Sequence, residues 1–243
     1  MCLNSIRIVF WPFFVKNADP DFREKGADLD ITVVEARDLS EAWFLCLGKA
    51  ITEGYTYKIE RGSFAGQHRK ELGLIVVRIK NPGTRPLVPD VPPGIPPPST
   101  MEYVEAYLPY LMTSHRVEGE QYTYGQYLEK QIPEIIKMYK EQGPNTNQAY
   151  MTVGDEESVF LSDPPCLRGI DTRIRDNKLN FIVYFRSWDL WAGFPSNLAA
   201  IQLLKEYMAS EIGVEDGELM GISKGLHVYE YAWDLARSTL RMG

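Results

Sequence analysis

Cys166 is the residue best suited to covalent chemistry, and it stands in a proline-containing run at positions 163–168. A thiolate is a strong nucleophile, but a free thiol is only about a few per cent ionised at neutral pH and needs a neighbouring cation or dipole. If Cys166 begins a strand, Arg168 emerges on the same face two residues later and is the local candidate for that cation. The alternative is a buried structural cysteine, the more common case for a cysteine taken alone.

An arginine and a serine follow the apolar segment that ends near position 186. The guanidinium of Arg186 can bind a phosphate or carboxylate through two parallel hydrogen bonds, and Ser187 adds a hydroxyl beside it. The sequence therefore predicts an anion site here. An ion pair of Arg186 with Asp189 or Asp171 explains the arginine equally well when it is considered alone.

Further polar side chains suit a base and a sugar. Asn197 opens a predicted helix, where it either caps the backbone or, if Ser196 provides the cap, is free to bind the N3–H and O4 of uracil. His227 and Tyr229 are two residues apart, so on a strand they share a face and suit sugar hydroxyls. Taken singly, capping and a satisfied interior histidine are the commoner roles.

The composition limits the classes of function. The chain has 243 residues and a net charge of −7, which argues against broad nucleic-acid binding but leaves room for a small anionic substrate. Its three cysteines have no CxxC spacing, which favours a reducing, cytoplasmic compartment. None of its three histidines has ligand spacing with a cysteine, so no metal site is predicted. No apolar run is long enough to span a membrane.

Hydrophobic periodicity predicts an α+β fold with a central mixed sheet covered by helices. We interpret residues 1–28 as an amino-terminal arm and 29–243 as a single catalytic domain. Residues 86–98 are proline-rich and predict an extended connection. Poor alternation along 178–186 predicts a strand buried on both faces. The predicted helices are 40–53 (capped by Ser40), 101–112, 126–142, 197–212 and 231–241, and the predicted strands are 30–36, 71–80, 148–153, 166–175, 178–186, 218–222 and 227–229.

The candidate functional residues occur in an order and at spacings that resemble those of the thymidylate synthases. The matching segments are Pro165-Cys166, Arg186-Ser187-Trp188-Asp189, residues 193–197 and His227-Val228-Tyr229, with a Tyr-Gly element at 122–125. Residues 61–63 look like the family's flexible phosphate loop. The compact length and residues 223–226 resemble the short archaeal-type branch and the related pyrimidine nucleotide hydroxymethylases.

The resemblance implies a thymidylate-synthase-like fold and a sheet-to-sheet homodimer. It implies transfer of a one-carbon unit to C5 of a pyrimidine nucleoside monophosphate through a covalent Cys–C6 adduct, without a metal. The donor would be a reduced methylene-pterin, either 5,10-methylenetetrahydrofolate or a tetrahydromethanopterin analogue. Conversion of dUMP to dTMP is favoured. The alternatives are a hydroxymethylase acting on CMP, dCMP or dUMP, and a non-catalytic nucleotide-binding homologue.

The same resemblance implies a role for each matching residue. Cys166 would add to C6, Tyr124 would help to remove the C5 proton, and a catalytic glutamate is expected in the helix 101–112, with Glu105 preferred to Glu102. Asp189 is implied both as a catalytic residue and as a cofactor contact. The implied substrate-binding residues are Arg186, Ser187, Asn197, His227, Tyr229, Arg61 and Arg168, and the implied cofactor-binding residues are Asp189, Gly193 and Trp188.

The sequence also departs from the family pattern. The family presents two adjacent arginines from the partner subunit to the phosphate, whereas residues 145–148 contain no arginine. Leu167 replaces the histidine that normally follows the cysteine. The chain lacks the long carboxy-terminal segment that closes over the folate, which leaves the choice of pterin open.

Overall fold

A computed structural model describes residues 30–242 of the chain. The predicted arm, residues 1–28, lies outside this range. The strands are β1 (Ile31–Ala36), β2 (Tyr55–Lys58), β3 (His68–Leu72), β4 (Leu74–Ile79), β5 (Tyr150–Thr152), β6 (Leu167–Arg175), β7 (Lys178–Phe185), β8 (Trp188–Asp189), β9 (Glu215–Ser223) and β10 (Leu226–Tyr229). The α-helices are α1 (Leu39–Glu53), α2 (Met101–Met112), α3 (Gly125–Leu128), α4 (Gln131–Gln142), α5 (Gly193–Ile212) and α6 (Trp233–Thr239).

The main sheet has six strands in the order β1-β4-β9-β7-β6-β5. The pairs β1–β4 and β7–β9 are parallel, and the other neighbours are antiparallel, so the sheet is mixed as predicted. β6 and β7 form a hairpin whose turn residues, Asp176 and Asn177, both have positive φ. Asp and Asn tolerate this left-handed region better than most residues, which explains why they occupy the turn.

A second sheet of four strands, in the order β2-β3-β10-β8, contains several of the candidate functional residues. β10 lies between β3 and β8, so His227 has Glu71 on one side and Asp189 on the other. β2 and β8 were not predicted, because β2 is short and polar and β8 has only two residues.

Helix α5 lies at the centre of the hydrophobic core. Leu198, Ile201, Leu204 and Met208 are at most 1% exposed, and the small residues Ala199 and Ala200 are equally buried. A helix that is apolar on nearly all sides belongs inside a protein. It contacts β7 and β9 of the main sheet and also α1, α2 and α4. This central position holds the first turn of α5 firmly beside the second sheet.

Two predicted helix starts are wrong. Asp38, not Ser40, caps α1 by accepting the backbone N–H of Glu41 at 2.8 Å. Helix α5 begins at Gly193, and Ser196 lies inside its first turn, where its hydroxyl bonds the Ala192 carbonyl at 2.8 Å. The N–H groups of Ala192, just before α5, and of Gly193, its first residue, both donate to the Asp189 carboxylate, so a residue further upstream provides the cap.

Two predicted elements are divided in the structure. The segment 71–80 forms the end of β3 and all of β4, with Gly73 between them. The segment 126–142 forms α3 and α4, with a break at residues 129 and 130. Pro133 near the start of α4 has no N–H to continue a helix from α3, and proline is tolerated only in a first turn. Residues 86–98 form no helix or strand, as predicted.

Within residues 30–242, the main sheet is covered on one face only. In β7, Leu179, Phe181 and Val183 are buried, whereas Ile182 is half-exposed and Tyr184 is 37% exposed. The prediction of a strand buried on both faces is therefore wrong for the part of a single chain that the structure describes. Within residues 30–242, no helix has the length and apolar character needed to cross a membrane.

Candidate active site

Cys166 and Arg186 lie side by side where β6 begins and β7 ends. The Arg186 backbone N–H donates to the Cys166 carbonyl at 2.9 Å. The guanidinium of Arg186 donates to the Pro165 carbonyl at 3.2 Å, to the Pro164 carbonyl, and to the Asp163 carboxylate at 3.0 Å. The side chain is thus fixed beside the cysteine while remaining 29% exposed.

The Cys166 thiol is half-buried, and its burial raises its pKa. Arg186 opposes this rise most strongly, Asp163 and Asp189 add to it, and Arg69 opposes it further. The thiol is therefore protonated at neutral pH in the unliganded protein. A nucleophilic role requires the proton to leave as substrate binds, with Arg186 as the nearest stabilising cation.

Arg168 does not fill the role predicted for it beside the thiol. A β-bulge between Leu167 and Gly169 removes the regular alternation on which that prediction depended. The Arg168 guanidinium instead packs over the backbone of Gly154, where an added methyl group would lie 3.1 Å from it. The cation with the largest effect on the Cys166 pKa is Arg186, which comes from the neighbouring strand.

Tyr124 lies next to Cys166. Its hydroxyl accepts the backbone N–H of Leu167 at 3.3 Å, and its pKa is raised well above the usual value by burial and by the nearby Tyr107 and Cys166. Gly125 follows it because a side chain there would collide with the backbone of Thr113, at 2.0–2.4 Å. The Tyr-Gly pair thus has a packing reason: the glycine allows the close approach that holds the tyrosine in place.

An open cavity of about 410 Å³ adjoins Tyr124. Much of its wall comes from one face of α2, where residues three and four positions apart align. The lining residues are Tyr103, Ala106, Tyr107, Tyr110, Glu120, Tyr124 and Asn197. The aromatic wall and the few polar groups suit a flat heterocycle.

Glu105 is not among these lining residues. It is exposed and lies about 200° around the helix from Tyr103, so it faces away from the tyrosine row. Glu102 is also exposed, near the amino terminus of α2. The carboxylate that lines the cavity is Glu120, in the loop after α2. Sequence reasoning missed it because no local pattern indicates that this loop folds back over the helix.

The Asn197 amide is held by two side chains rather than by the helix backbone. Its Oδ1 accepts the indole N–H of Trp188 at 3.2 Å, and its Nδ2 donates to the Tyr107 hydroxyl at 3.0 Å. Asn197 therefore does not cap α5, and it faces the cavity. Tyr107 was not among the predicted site residues, since an aromatic residue on a helix is ordinarily part of the core.

Asp189 binds the start of α5. Its carboxylate accepts the backbone N–H groups of Trp191 at 3.1 Å, Gly193 at 3.2 Å and Ala192 at 3.3 Å. Burial raises its pKa, and these three hydrogen bonds partly offset the rise. Gly193 lies directly against it, since an added methyl group would be 3.3 Å from the Asp189 Cβ.

Trp188 has no free surface for a pterin. It is 1% exposed, with its ring stacked on Phe185 at 4.2 Å and tilted against Phe194 at 4.5 Å. The prediction that Trp188 contacts a cofactor is therefore inconsistent with its position in the core. It reaches the cavity only through the indole N–H that binds Asn197.

His227 and Tyr229 lie on β10 beside each other, with ring centroids 4.6 Å apart. His227 is 1% exposed, and its Nδ1 is 2.9 Å from the Gly225 carbonyl, which can only accept. Nδ1 therefore carries the proton, and Nε2 is a buried acceptor with no hydrogen-bond partner among residues 30–242. A buried acceptor of this kind is costly unless a ligand or water donates to it.

The loop between β2 and β3 borders this region. Phe64 stacks on Tyr229 with centroids 4.1 Å apart, and the Ser63 hydroxyl lies 3.5 Å from the Asp163 carboxylate. Arg61 is exposed on the same loop. The loop thus brings Arg61 into the neighbourhood of Asp163, the ion-pair partner of Arg186.

Arg69 is a cation that sequence reasoning missed. It pairs with Tyr229 across β3 and β10, and it lowers the pKa of both His227 and Cys166. Its own guanidinium is held by Glu71 at 2.8 Å and by the Tyr57 hydroxyl at 2.6 Å. The predicted strand began only at residue 71, so its alternation gave no reason to consider Arg69.

Burial and the nearby Arg69 lower the pKa of His227 to about 4. A histidine in the unfolded chain titrates near pH 6.5, so between about pH 6.5 and 4 the unfolded state binds a proton that the folded state does not. Stability should therefore fall as the pH drops through this window, by about 3 kcal/mol at most from this group. We expect His227→Gln to remove this component, measured as the difference in urea unfolding between pH 7 and pH 4.5.

The control is His68→Gln, which replaces a histidine on the protein surface that contacts Glu230 at 3.1 Å. Exposed pairs of this kind contribute little to stability, so this variant should keep the pH dependence of the wild type. An unchanged pH dependence in the His227 variant would show that the buried imidazole is not the titrating group.

Within residues 30–242, no group of three or more His, Cys, Asp or Glu side chains could hold a metal ion. The polar groups that meet around Cys166 and the cavity are a thiol, two guanidinium groups, an amide, an imidazole, tyrosine hydroxyls and three carboxylates. This set suits covalent chemistry on a small anionic ligand that carries a polar heterocycle.

Comparison with known proteins agrees with this geometry. A family model described as thymidylate synthase matches residues 115–242, more than half of the chain and the part that contains the cysteine, the amide and the histidine. A protein of Methanosarcina mazei named "Putative thymidylate synthase" is 29% identical over 215 residues, which cover 86% of this chain and 94% of that protein. A Listeria monocytogenes protein named "Thymidylate synthase" is 31% identical over 100 residues, 41% of this chain and 32% of that protein. The chain belongs to the thymidylate synthase family.

Proposed function

We propose that this protein transfers a one-carbon unit from a reduced methylene-pterin to C5 of dUMP, forming dTMP as a methyltransferase of thymidylate synthase type. The observation that best supports this is the position of Tyr124. Its hydroxyl binds the residue after Cys166, and its ring lines the cavity that contains the Asn197 amide. Tyr124 thus lies between the proposed nucleophile and the amide proposed to bind the base, and Arg186 is hydrogen-bonded to the backbone of the same cysteine.

The proposed chemistry begins with the thiol. Cys166 Sγ forms a bond to C6 of the pyrimidine as the thiol proton leaves, and the electron pair of the C5–C6 double bond moves towards O4. C5 thereby becomes the nucleophile that takes the one-carbon unit. Tyr124 is placed to assist loss of the C5 proton, whose electron pair would expel the pterin nitrogen and leave a methylene group on C5. Hydride from the reduced pterin would complete the methyl group, and the C5–C6 double bond would re-form as the Cys166–C6 bond breaks. Positioned acid–base groups of this kind contribute about 10²–10⁴-fold.

Five residues are assigned to binding the phosphate and the sugar of the substrate. Arg186 and Ser187 hold the phosphate, with Arg61 approaching on the β2–β3 loop. The unpartnered Nε2 of His227 accepts a hydrogen bond from a sugar hydroxyl, and Tyr229 stands beside it. A guanidinium is the usual partner of a phosphate because it can donate two parallel hydrogen bonds. Arg168, packed on Gly154, is not needed for this arrangement.

The residues of the cavity fit a reduced pterin, which supplies the one-carbon unit and, in dTMP formation, the hydride. Tyr103 is 58% exposed on the cavity wall and offers a face for a flat ring. Asp189 and Gly193 lie at the start of α5, where the carboxylate retains acceptor capacity beyond its three backbone donors. A methylene-folate or a tetrahydromethanopterin analogue fits this description.

The uncovered sheet face supports the proposal of a sheet-to-sheet homodimer. Ile31 and Val33 on β1 are 68% and 61% exposed, and Tyr150 and Tyr184 are 49% and 37% exposed towards the same open side. An open cavity of about 940 Å³ also lies on this face, lined by charged residues and by Ile182 and Met220. Exposed apolar patches of this kind mark interaction surfaces. A monomeric mass in sedimentation equilibrium would contradict the homodimer.

Tritium release from [5-³H]dUMP and [5-³H]CMP, in the presence of a methylene-pterin, tests the proposed reaction. We expect release from dUMP with one equivalent of dTMP formed. Release without a methylated product would instead indicate a hydroxymethylase, in which water rather than hydride captures the one-carbon unit. Absence of release from every pyrimidine nucleotide would leave only a nucleotide-binding homologue.

A further inference from the structure

The Asn197 amide lies between two side chains with different hydrogen-bonding capacity. The Trp188 indole N–H is 3.2 Å from its Oδ1, and the Tyr107 hydroxyl is 3.0 Å from its Nδ2. An indole nitrogen can only donate, whereas a hydroxyl can donate or accept. The first contact therefore fixes which end of the amide is oxygen.

A turn of the amide by 180° would place the Asn197 NH₂ group against the Trp188 N–H. Two donors would then face each other at a position where the indole is 1% exposed and has no water to bind. The ring cannot swing away, because Phe185 stacks on it at 4.2 Å with an interplanar angle of 7° and Phe194 packs beside it at 4.5 Å. The amide thus has one stable orientation.

We propose that Trp188 and Tyr107 are positioning residues that set the choice between uracil and cytosine nucleotides by holding the Asn197 amide in one orientation. The inference rests on the proposed function, in which Asn197 faces the base. After its two protein contacts, the amide has one N–H and one oxygen lone pair left, in a fixed order. Uracil presents N3–H and the acceptor O4, whereas cytosine presents the acceptor N3 and an amino donor, so the order is reversed.

The other proposed contacts of the site prevent the nucleotide from changing its position to match the Asn197 amide. A base with C6 at Cys166 and a phosphate at Arg186 has a single pose, so it cannot turn its polar edge to suit the amide. A free amide could match either base by flipping, but a fixed amide matches one. Burial also raises the pKa of Tyr107 well above its usual value, so its hydroxyl stays neutral and keeps accepting from Nδ2. With dUMP as substrate, Oδ1 accepts N3–H and Nδ2 donates to O4.

The variant Trp188→Phe tests this inference, since it keeps an aromatic ring between Phe185 and Phe194 but removes the N–H. We expect the ratio of kcat/KM for dUMP over dCMP, measured by tritium release from the 5-³H nucleotides, to fall about 10-fold or more, because a buried unsatisfied donor no longer opposes the flipped amide. Tyr107→Phe should lower the ratio in the same direction but less, since it removes an acceptor that could also have served as a donor.

The matched control is Trp43→Phe. Trp43 is equally buried and its indole N–H donates to the Leu190 carbonyl at 2.8 Å, but it does not touch Asn197. This variant should leave the base ratio unchanged. If Trp188→Phe lowers the activity towards both nucleotides equally, or if it changes the ratio by less than about twofold, the inference is wrong. If that variant does not fold, the ratio measured for Tyr107→Phe decides, and an unchanged ratio overturns the inference.

The measurements also distinguish failure of the proposed function from failure of this inference. If the wild-type protein turns over neither nucleotide, the ratio is measured as the relative Kd for dUMP and dCMP by calorimetry, where Trp188→Phe should still bring the two values together. If the wild type prefers dCMP, the proposed substrate is wrong, but the same variant should still reduce that preference. In both cases an unchanged ratio in the variant overturns the positioning role.

Discussion

Cys166→Ala is expected to abolish turnover while leaving nucleotide binding largely intact. Without Sγ no bond forms to C6, and C5 does not become nucleophilic, so every later step is lost. We expect kcat to fall by more than about 10⁴-fold, because a group that forms a covalent intermediate has no partial substitute. Tritium release and product formation measure turnover, and calorimetry with dUMP measures binding.

Cys46→Ala is the matched control for the cysteine prediction. Cys46 is 0% exposed in α1, and burial raises its pKa to about 12, so it has no access to substrate and no tendency to ionise. Its removal should lower stability modestly and leave kcat near the wild-type value. Full turnover in the Cys166 variant would exclude the covalent mechanism, and loss of dUMP binding in that variant would show that the thiol has a structural role instead.

Glu120→Gln is expected to lower kcat by about 10²–10⁴-fold, the usual contribution of a positioned acid or base. Glu120 is the carboxylate that lines the cavity with Tyr124 and Asn197, and its side chain is anchored by the Val117 backbone N–H at 3.0 Å. Glutamine keeps the size and the ability to accept that hydrogen bond but cannot exchange a proton. Steady-state kinetics with dUMP should show the loss in kcat more than in KM.

Glu105→Gln is the control for this second prediction. Glu105 is the glutamate favoured by the resemblance to the family, but it is exposed and points away from the tyrosine row of α2. Its replacement should change kcat by less than about twofold. The opposite outcome, a large loss for Glu105 and none for Glu120, would mean that α2 presents a different face to the substrate than the one described here.

Ser196 and Asp189 show the limit of predicting a helix start from local sequence patterns. Serine before a helix is a common cap, yet Ser196 lies within α5 and Asp189 binds the first N–H groups from β8. Asp189 makes these contacts over two to four residues of chain, but it lies in β8, a strand of two residues beside β10. The short strand has no periodicity that a sequence could display, so its role appears only in three dimensions.

The case of Arg168 and Arg186 is similar. Strand alternation placed Arg168 beside Cys166, but the bulge in β6 breaks that alternation, and the guanidinium held in the 163–165 loop beside Cys166 is that of Arg186 from the adjacent strand. Arg69 reaches the same region from the second sheet. Cross-strand neighbours depend on register, and register is a property of the assembled sheet.

The order of the cysteine, arginine, amide and histidine along the chain was enough to indicate the family, and it is also the basis for proposing a covalent nucleophile and a nucleotide ligand. The hydrophobic periodicity of the sequence was enough to predict the mixed sheet, helix α2 and the body of helix α5, because these elements follow from short-range patterns of buried residues. Tertiary structure alone decided which carboxylate lines the cavity, which cation lies beside the thiol and which way the Asn197 amide points. Those properties depend on contacts such as Trp188–Asn197 and Asn197–Tyr107, which join separate elements of the fold and therefore have no local signature in the sequence.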